Sequence, residues 1–265
     1  MLVISIQSQV VHGHVGNSAA VYPMQAAGLT VAAVPTALLS NHPHYPTLRG
    51  RVLEAELVAD LLRGVEERGL IEAASVLVTG YLGSVENALV VADFVERAKR
   101  ANPQLIYVCD PVMGDDDLGV FVAEGLVDVF RQRLVPLASI ITPNRYELEL
   151  LAGTPLRTED AIRDAVRALA VRGPRDIVVT GCVLDDTPPN RVETIACSRG
   201  RLHRSGTARL PIRPCGTGDL FTALLVVELC AERDIFAASA TAVDAVFDIL
   251  ERTQKAGSAE MKIIG

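Results

Sequence analysis

Tryptophan is absent and aromatic residues make up only 4% of the 265-residue chain. A core built on stacked aromatics is therefore excluded, and the 49% hydrophobic content must pack mainly as aliphatic helices on a sheet. No two of the five cysteines are spaced as CxxC, which removes zinc ribbons and thioredoxin-type redox motifs. An odd number of thiols fits a reducing compartment. Residues 1–6 are apolar but carry neither a basic leader nor a cleavage pattern. The late apolar run 223–230 is broken by Glu228 and is far short of the roughly 20 residues a membrane span needs. Positive charge is also scarce: the net charge is −7 and is not gathered in one tail. Such a surface attracts neither nucleic acid nor anionic lipid at long range. These absences predict a cytoplasmic protein with no nucleic-acid or membrane partner. No solenoid repeat and no low-complexity linker is present, and the length allows one large α/β domain or two small ones.

What remains is an alternation of short β-branched runs with helical stripes. Strands are expected at 2–6, 29–34, 75–79, 105–109, 139–142 and 176–179. Between them lie helical patterns: one capped by Asn17 or Ser18 and running to about Ala27, and one over 54–69 with Leu57, Val58, Leu61, Leu62 and Val65 on a single face. Two more are marked by Ala88, Val91, Val95 and Ala98, and by Ile162, Ala165, Val166 and Leu169. Segment 40–50 reads as irregular, 185–213 as polar with short β-like runs such as 193–197, and 261–264 as a candidate final strand. Strands joined by helical crossovers imply a mostly parallel central sheet with helices on both faces. Ligands of such sheets sit beyond the carboxyl ends of the strands. Four polar clusters follow apolar strands: Gly80-Tyr81, Asp110-Pro111, Thr142-Pro143-Asn144 and Thr180-Gly181. Each alone is an ordinary turn; four in succession predict one site along one edge.

The most informative motif is Gly216-Thr217-Gly218-Asp219, preceded by Cys215 and followed by an apolar helix. Its glycines permit a tight turn with exposed amides, and a helix opening at about Asp219 points free N–H groups and its positive dipole end the same way. That makes an anion hole suited to a phosphoryl group in transfer, with a carboxylate placed to take a proton. Read alone, the motif is equally a glycine turn with an Asp cap. Likewise Asp110 can be a capping residue before Pro111, and Glu147 a first-turn acid favoured by the helix dipole.

The context decides between these readings. A GTGD before a long apolar helix, late in a series of βα units, resembles the ribokinase-like kinases. The stretches Gln7–Asn17 with its His12-Gly13-His14 core, Ser40-Asn41-His42, Thr79-Gly80-Tyr81, Asp110-Pro111-Val112-Met113-Gly114 and Thr142-Pro143-Asn144 occur in order. Together with the GTGD they resemble pyridoxal kinases over nearly the whole chain, most weakly over 183–213. The resemblance implies one ribokinase-like kinase domain over 1–265, a homodimer, and transfer of phosphate from ATP to the 5′-hydroxymethyl of pyridoxal. It implies Asp219 as the base and Gly216, Thr217 and Gly218 as the amides around the phosphoryl group. Asp110 and Glu147 would organise Mg²⁺, with Thr142, Asn144 and Thr180 near the nucleotide phosphates. Ser8, Val15, His42 and Tyr81 would surround the pyridine ring. K⁺ is a further candidate cofactor. One departure stands out: many pyridoxal kinases carry Thr after Ser-Asn-His, and this chain has Pro43, which offers neither hydroxyl nor N–H.

Three other readings compete. The pairs His12-Gly13-His14 and His42-Pro43-His44 could ligate Zn²⁺ in a metal-dependent hydrolase. Gly13-x-x-Gly16 is part of a dinucleotide fingerprint but lacks its full GxGxxG spacing. A hydroxymethylpyrimidine kinase would share the fold, the base and the anion hole; Ser8, Tyr81 and the His12-Gly13-His14 loop lean towards pyridoxal.

Overall fold

A computed structural model of the chain describes residues 1–264. Its centre is a nine-stranded sheet. Six strands run parallel: β1 (Leu2–Val10), β2 (Thr30–Leu39), β4 (Ala74–Thr79), β5 (Ile106–Cys109), β8 (Ile140–Ile141) and β9 (Asp176–Cys182). The edges are antiparallel, with β3 (Gly50–Val52) on β2 and the hairpin β10 (Arg191–Ser198)–β11 (Arg201–Ala208) on β9. The order is β11-β10-β9-β8-β5-β4-β1-β2-β3. A separate two-stranded ribbon, β6 (Gly114–Asp115) and β7 (Gly119–Val120), follows Asp110-Pro111.

Alternation along each strand sends side chains to two apolar layers. Ile4, Ile6, Leu77, Tyr107 and Ile141 face one side. There they meet α2 (Ala55–Glu67), α3 (Leu70–Ala73), α4 (Val85–Ala101), α7 (Arg145–Ala152) and α8 (Glu159–Ala170). The same layer holds a turn-rich stretch made of α5 (Leu126–Val129), a π-helical turn (Phe130–Leu134) and α6 (Val135–Leu137). Val3, Val76, Val78, Val108 and Val178 face the other side, under α1 (Asn17–Ala26), α9 (Thr217–Cys230) and α10 (Ile235–Lys255). Ser84, Asn144, Thr158 and Asp234 cap α4, α7, α8 and α10 with their side chains. The expected mostly parallel sheet with helices on both faces is what forms.

Several local expectations are corrected. Neither Asn17 nor Ser18 caps α1; Gly16 takes that position. Asn17 turns inward instead: its Nδ2 donates to Gln7 O (3.1 Å) and Val34 O (3.3 Å), and its Oδ1 accepts from Ser5 Oγ (2.7 Å). It thereby satisfies backbone where β1 bulges between Gln7 and Gln9. On α2 only Val58, Leu62 and Val65 are buried, whereas Leu57 and Leu61 remain exposed at 44% and 37%. The polar segment 185–213 builds two eight-residue strands. β9 does not stop before Thr180-Gly181 but continues to Cys182. Residues 261–264 form no strand; Met261 and Ile263 pack instead against Ala19, Leu220 and Ile249.

Candidate active site

The polar clusters converge at the carboxyl ends of the parallel strands, with Thr180-Gly181 in the last residues of β9 itself. Ser8, still within β1, and Tyr81, just past the end of β4, each lie two residues beyond the paired Ile6 and Thr79 of neighbouring strands. Asp110 N–H donates to Thr79 O (2.9 Å) and Thr142 N–H to Cys109 O (3.1 Å), carrying the ladder up to the site. Thr180 N–H donates to Pro143 O (2.9 Å), and Asn144 bridges Thr180 in parallel fashion.

α9 opens into the same space. Gly216 sits in the left-handed region at φ 82°, and a Cβ there would meet the carbonyl oxygen of His14 at 1.8 Å. Only glycine allows the turn before α9 to lie against the loop that follows β1. Gly218 differs: a Cβ there would meet nothing within 4 Å, because the position faces open space. The first amides of α9, at Thr217, Gly218 and Asp219, have no partner inside the helix. Asp219 is partly accessible yet enclosed by protein on most sides, and that desolvation raises its carboxyl to about 6, opposed by the Gly16 N–H.

Asp110 and Glu147 are both buried, at 4% exposure each. Burial pushes Asp110 well above the usual carboxylate range, and the negative charges of Glu147 and Asp219 push it further. Glu147 rises to about 8, chiefly through burial, although three backbone N–H groups favour its charged form. Its Oε2 accepts from Asn144 N (2.8 Å) and its Oε1 from Met113 N (2.9 Å), while Asn144 Oδ1 accepts from Glu147 N (2.8 Å). Glu147 is therefore also the return half of a capping box at the start of α7. Among the described residues no Lys, Arg or His side chain hydrogen-bonds or ion-pairs with these three carboxyls, whose partners are backbone N–H groups and the Thr222 hydroxyl. Buried carboxyls that cannot readily ionise without a counter-ion fit a divalent cation, as the oxygen-only donor set does.

Sequence reading missed Thr222, one turn along α9 from Asp219. Its Oγ1 donates to Asp110 Oδ2 (3.1 Å) and lies 3.0 Å from Thr142 Oγ1, joining three elements. The i, i+3 spacing from Asp219 is the signal that could have found it. It also missed Glu260. His42 Nε2 lies 2.8 Å from Glu260 Oε1, which also accepts from Tyr45 Oη at 2.8 Å. His14 approaches the other carboxylate oxygen at 3.6 Å. The loops after β1 and β2 thus share one carboxylate near the end of the chain, and Val15, next to His14, lies against Gly216. The two histidine pairs do meet, with Glu260 and Cys215 beside them.

Such a sheet, with an anion turn opening a helix opposite buried carboxylates, defines a ribokinase-like phosphotransferase. Comparison with known proteins agrees. A model of the phosphomethylpyrimidine kinase family matches residues 13–263. The pyridoxine/pyridoxal/pyridoxamine kinase of Bordetella avium is 42% identical over 98% of this chain and 88% of its own length. The pyridoxal kinase of Rubrobacter xylanophilus is 39% identical over 99% of this chain and 91% of its own. Among solved structures, the pyridoxal kinase of Leishmania donovani in complex with ADP and ginkgotoxin superimposes with a TM-score of 0.92. It is 28% identical, covering 100% of this chain and 93% of that one. The chain belongs to the phosphomethylpyrimidine kinase family, and the curated relatives it matches at 39–42% identity are pyridoxal kinases. Among the described residues no helix is long and apolar enough to cross a membrane.

Proposed function

We propose that this protein is a pyridoxal kinase, a single ribokinase-like domain that phosphorylates the 5′-hydroxymethyl of pyridoxal with ATP. The observation that carries the reading is Asp219, at the open amino end of α9 and within electrostatic range of Asp110 and Glu147. Asp219 takes the proton of the 5′-hydroxyl as its oxygen bonds to the γ-phosphorus; the bond from that phosphorus to the bridging oxygen breaks, and ADP leaves. The amides of Gly216, Thr217 and Gly218 receive the charge on the phosphoryl oxygens. Thr142, Asn144 and Thr180 flank the nucleotide phosphates. Ser8, Val15, His42 and Tyr81 enclose the pyridine ring.

Asp110, and Glu147 through water, would hold Mg²⁺, which when bound neutralises phosphate charge. K⁺ as a second cation is part of the same reading. So are a cytoplasmic location and a homodimer, for which the exposed Leu38, Leu48, Leu57 and Leu61 offer apolar surface. Relatives named for pyridoxal, pyridoxine and pyridoxamine favour a B6 vitamer over hydroxymethylpyrimidine, and the family match tells against a zinc hydrolase. ADP release with MgATP, measured in parallel against pyridoxal, hydroxymethylpyrimidine and ribose, tests the reading. Faster turnover of hydroxymethylpyrimidine than of pyridoxal would overturn the substrate.

A further inference from the structure

Cys215 stands immediately before the anion turn, and its Sγ lies 3.1 Å from His44 Nδ1. A ring nitrogen of His42 completes a group in which the three donor atoms lie within 4.8 Å of one another. His42 is 6% exposed; its Nε2 is engaged by Glu260, and its Nδ1 is buried without a hydrogen-bond partner. A carboxylate that fixes one nitrogen of a histidine and leaves the other unprotonated is the arrangement that prepares an imidazole for a metal. Tetrahedral zinc, with Zn–S about 2.3 Å and Zn–N about 2.0–2.1 Å, spaces its donors roughly 3.5 Å apart. The His44–Cys215 pair is already that close, so the site needs only a small closure.

We propose that His42, His44 and Cys215 form a binding site for a thiophilic divalent cation such as Zn²⁺, with Glu260 orienting His42 and one coordination position left open. This site is separate from the all-oxygen carboxylate cluster, and its nitrogen–sulfur donors select a softer metal than Mg²⁺. Burial chiefly pushes the Cys215 thiol up, with the negative charges of Glu260, Asp219 and Asp115 adding to it, and those same charges would attract a cation. A bound metal would pin the loop after β2 to the segment entering α9.

Co²⁺ titration of the reduced full-length protein, with MgATP present to occupy the carboxylates, tests the site by absorption. One equivalent per chain should give a thiolate-to-cobalt charge-transfer band in the near ultraviolet. Cys215→Ser should abolish that band, and His44→Ala should weaken binding while circular dichroism stays native. Glu260→Gln should cost about 10–100-fold in affinity. No charge-transfer band in the unmodified protein, or a band that survives Cys215→Ser, would overturn the proposal whether or not the protein phosphorylates pyridoxal.

Discussion

Thr222 Oγ1 donates to Asp110 Oδ2 at 3.1 Å, so the helix that carries Asp219 is tied to the end of β5 by a buried hydroxyl. The same oxygen lies 3.0 Å from Thr142 Oγ1 at the end of β8. One side chain thus sets the distance between the acid at the helix mouth and the acid at the strand end. Thr222→Val keeps the volume and removes the bond. The fold should survive, while kcat/KM falls ~10-fold, the scale of one lost hydrogen bond to a charged group. Steady-state kinetics with a Mg²⁺ titration checks this; unaltered kinetics would mean the tie has no positioning role.

Asp219 is assigned the proton, and its carboxyl is raised to about 6 by desolvation. A base works only when ionised, so kcat should fall as pH drops through about 6 and level off above it. Asp219→Asn cannot accept the proton and should lose ~10²–10⁴-fold in kcat while ATP still binds. A kcat–pH profile of the unmodified protein and nucleotide binding by the variant are the two measurements. Near-normal turnover in Asp219→Asn would sink the assignment.

How much of this was legible beforehand follows from where each signal lies. Asp110, Thr142, Asn144 and Glu147 were readable because each stands just after a short apolar strand, and a parallel sheet must bring such positions to one edge. Thr180 was expected just past its strand, but that strand runs on to Cys182 and holds Thr180 within it. Glu260 was not readable: its contact with His42 spans 218 residues, and nothing local announces it. The alternation at 261–264 looked like a strand because Met261 and Ile263 are buried while Lys262 and Ile264 are exposed. Burial on one side produces that pattern with or without a partner strand, and none pairs here among the described residues. Leu57 and Leu61 failed for the converse reason, since an apolar stripe on α2 wider than the core can cover leaves part of itself in solvent.

The two glycines of the anion turn should respond in opposite ways. Gly216→Ala puts a methyl at 1.8 Å from a backbone oxygen at a left-handed φ, and should cost ~2 kcal/mol or more in stability. Gly218→Ala meets no protein atom within 4 Å and lies in a helix, where alanine is favoured by roughly 0.5–1 kcal/mol. Its methyl would stand where the phosphates approach. The protein should therefore be at least as stable as the unmodified one while its KM for ATP rises or its kcat falls. Thermal melts beside ATP kinetics separate the two effects. If Gly218→Ala turned over normally, the space in front of α9 would not be the phosphate site.

The carboxyl cluster makes a last prediction about the metal-free protein. Glu147 is raised to about 8, Asp219 to about 6, and Asp110 lies well above its ordinary value. Groups raised on folding keep protons that the unfolded chain has already released, so the folded state binds more protons between the ordinary carboxylate range and about 8. Stability from this source is complete below the unfolded pKa values and is lost as pH rises through the folded ones. The melting temperature without divalent metal should therefore drop between about 6 and about 8, each kcal/mol moving it by roughly 2–4 °C in a chain of this size. A divalent cation takes the place of the protons, so Mg²⁺ with ADP should flatten the slope, and its apparent affinity should weaken as pH falls below about 8. Asp110→Asn, neutral at every pH, should lose part of the slope without metal. Differential scanning calorimetry at the two ends of this range decides the matter. A metal-free melting temperature that does not fall over the interval would mean that folding does not raise the three carboxyls, and the expected competition between protons and cation would fail with it.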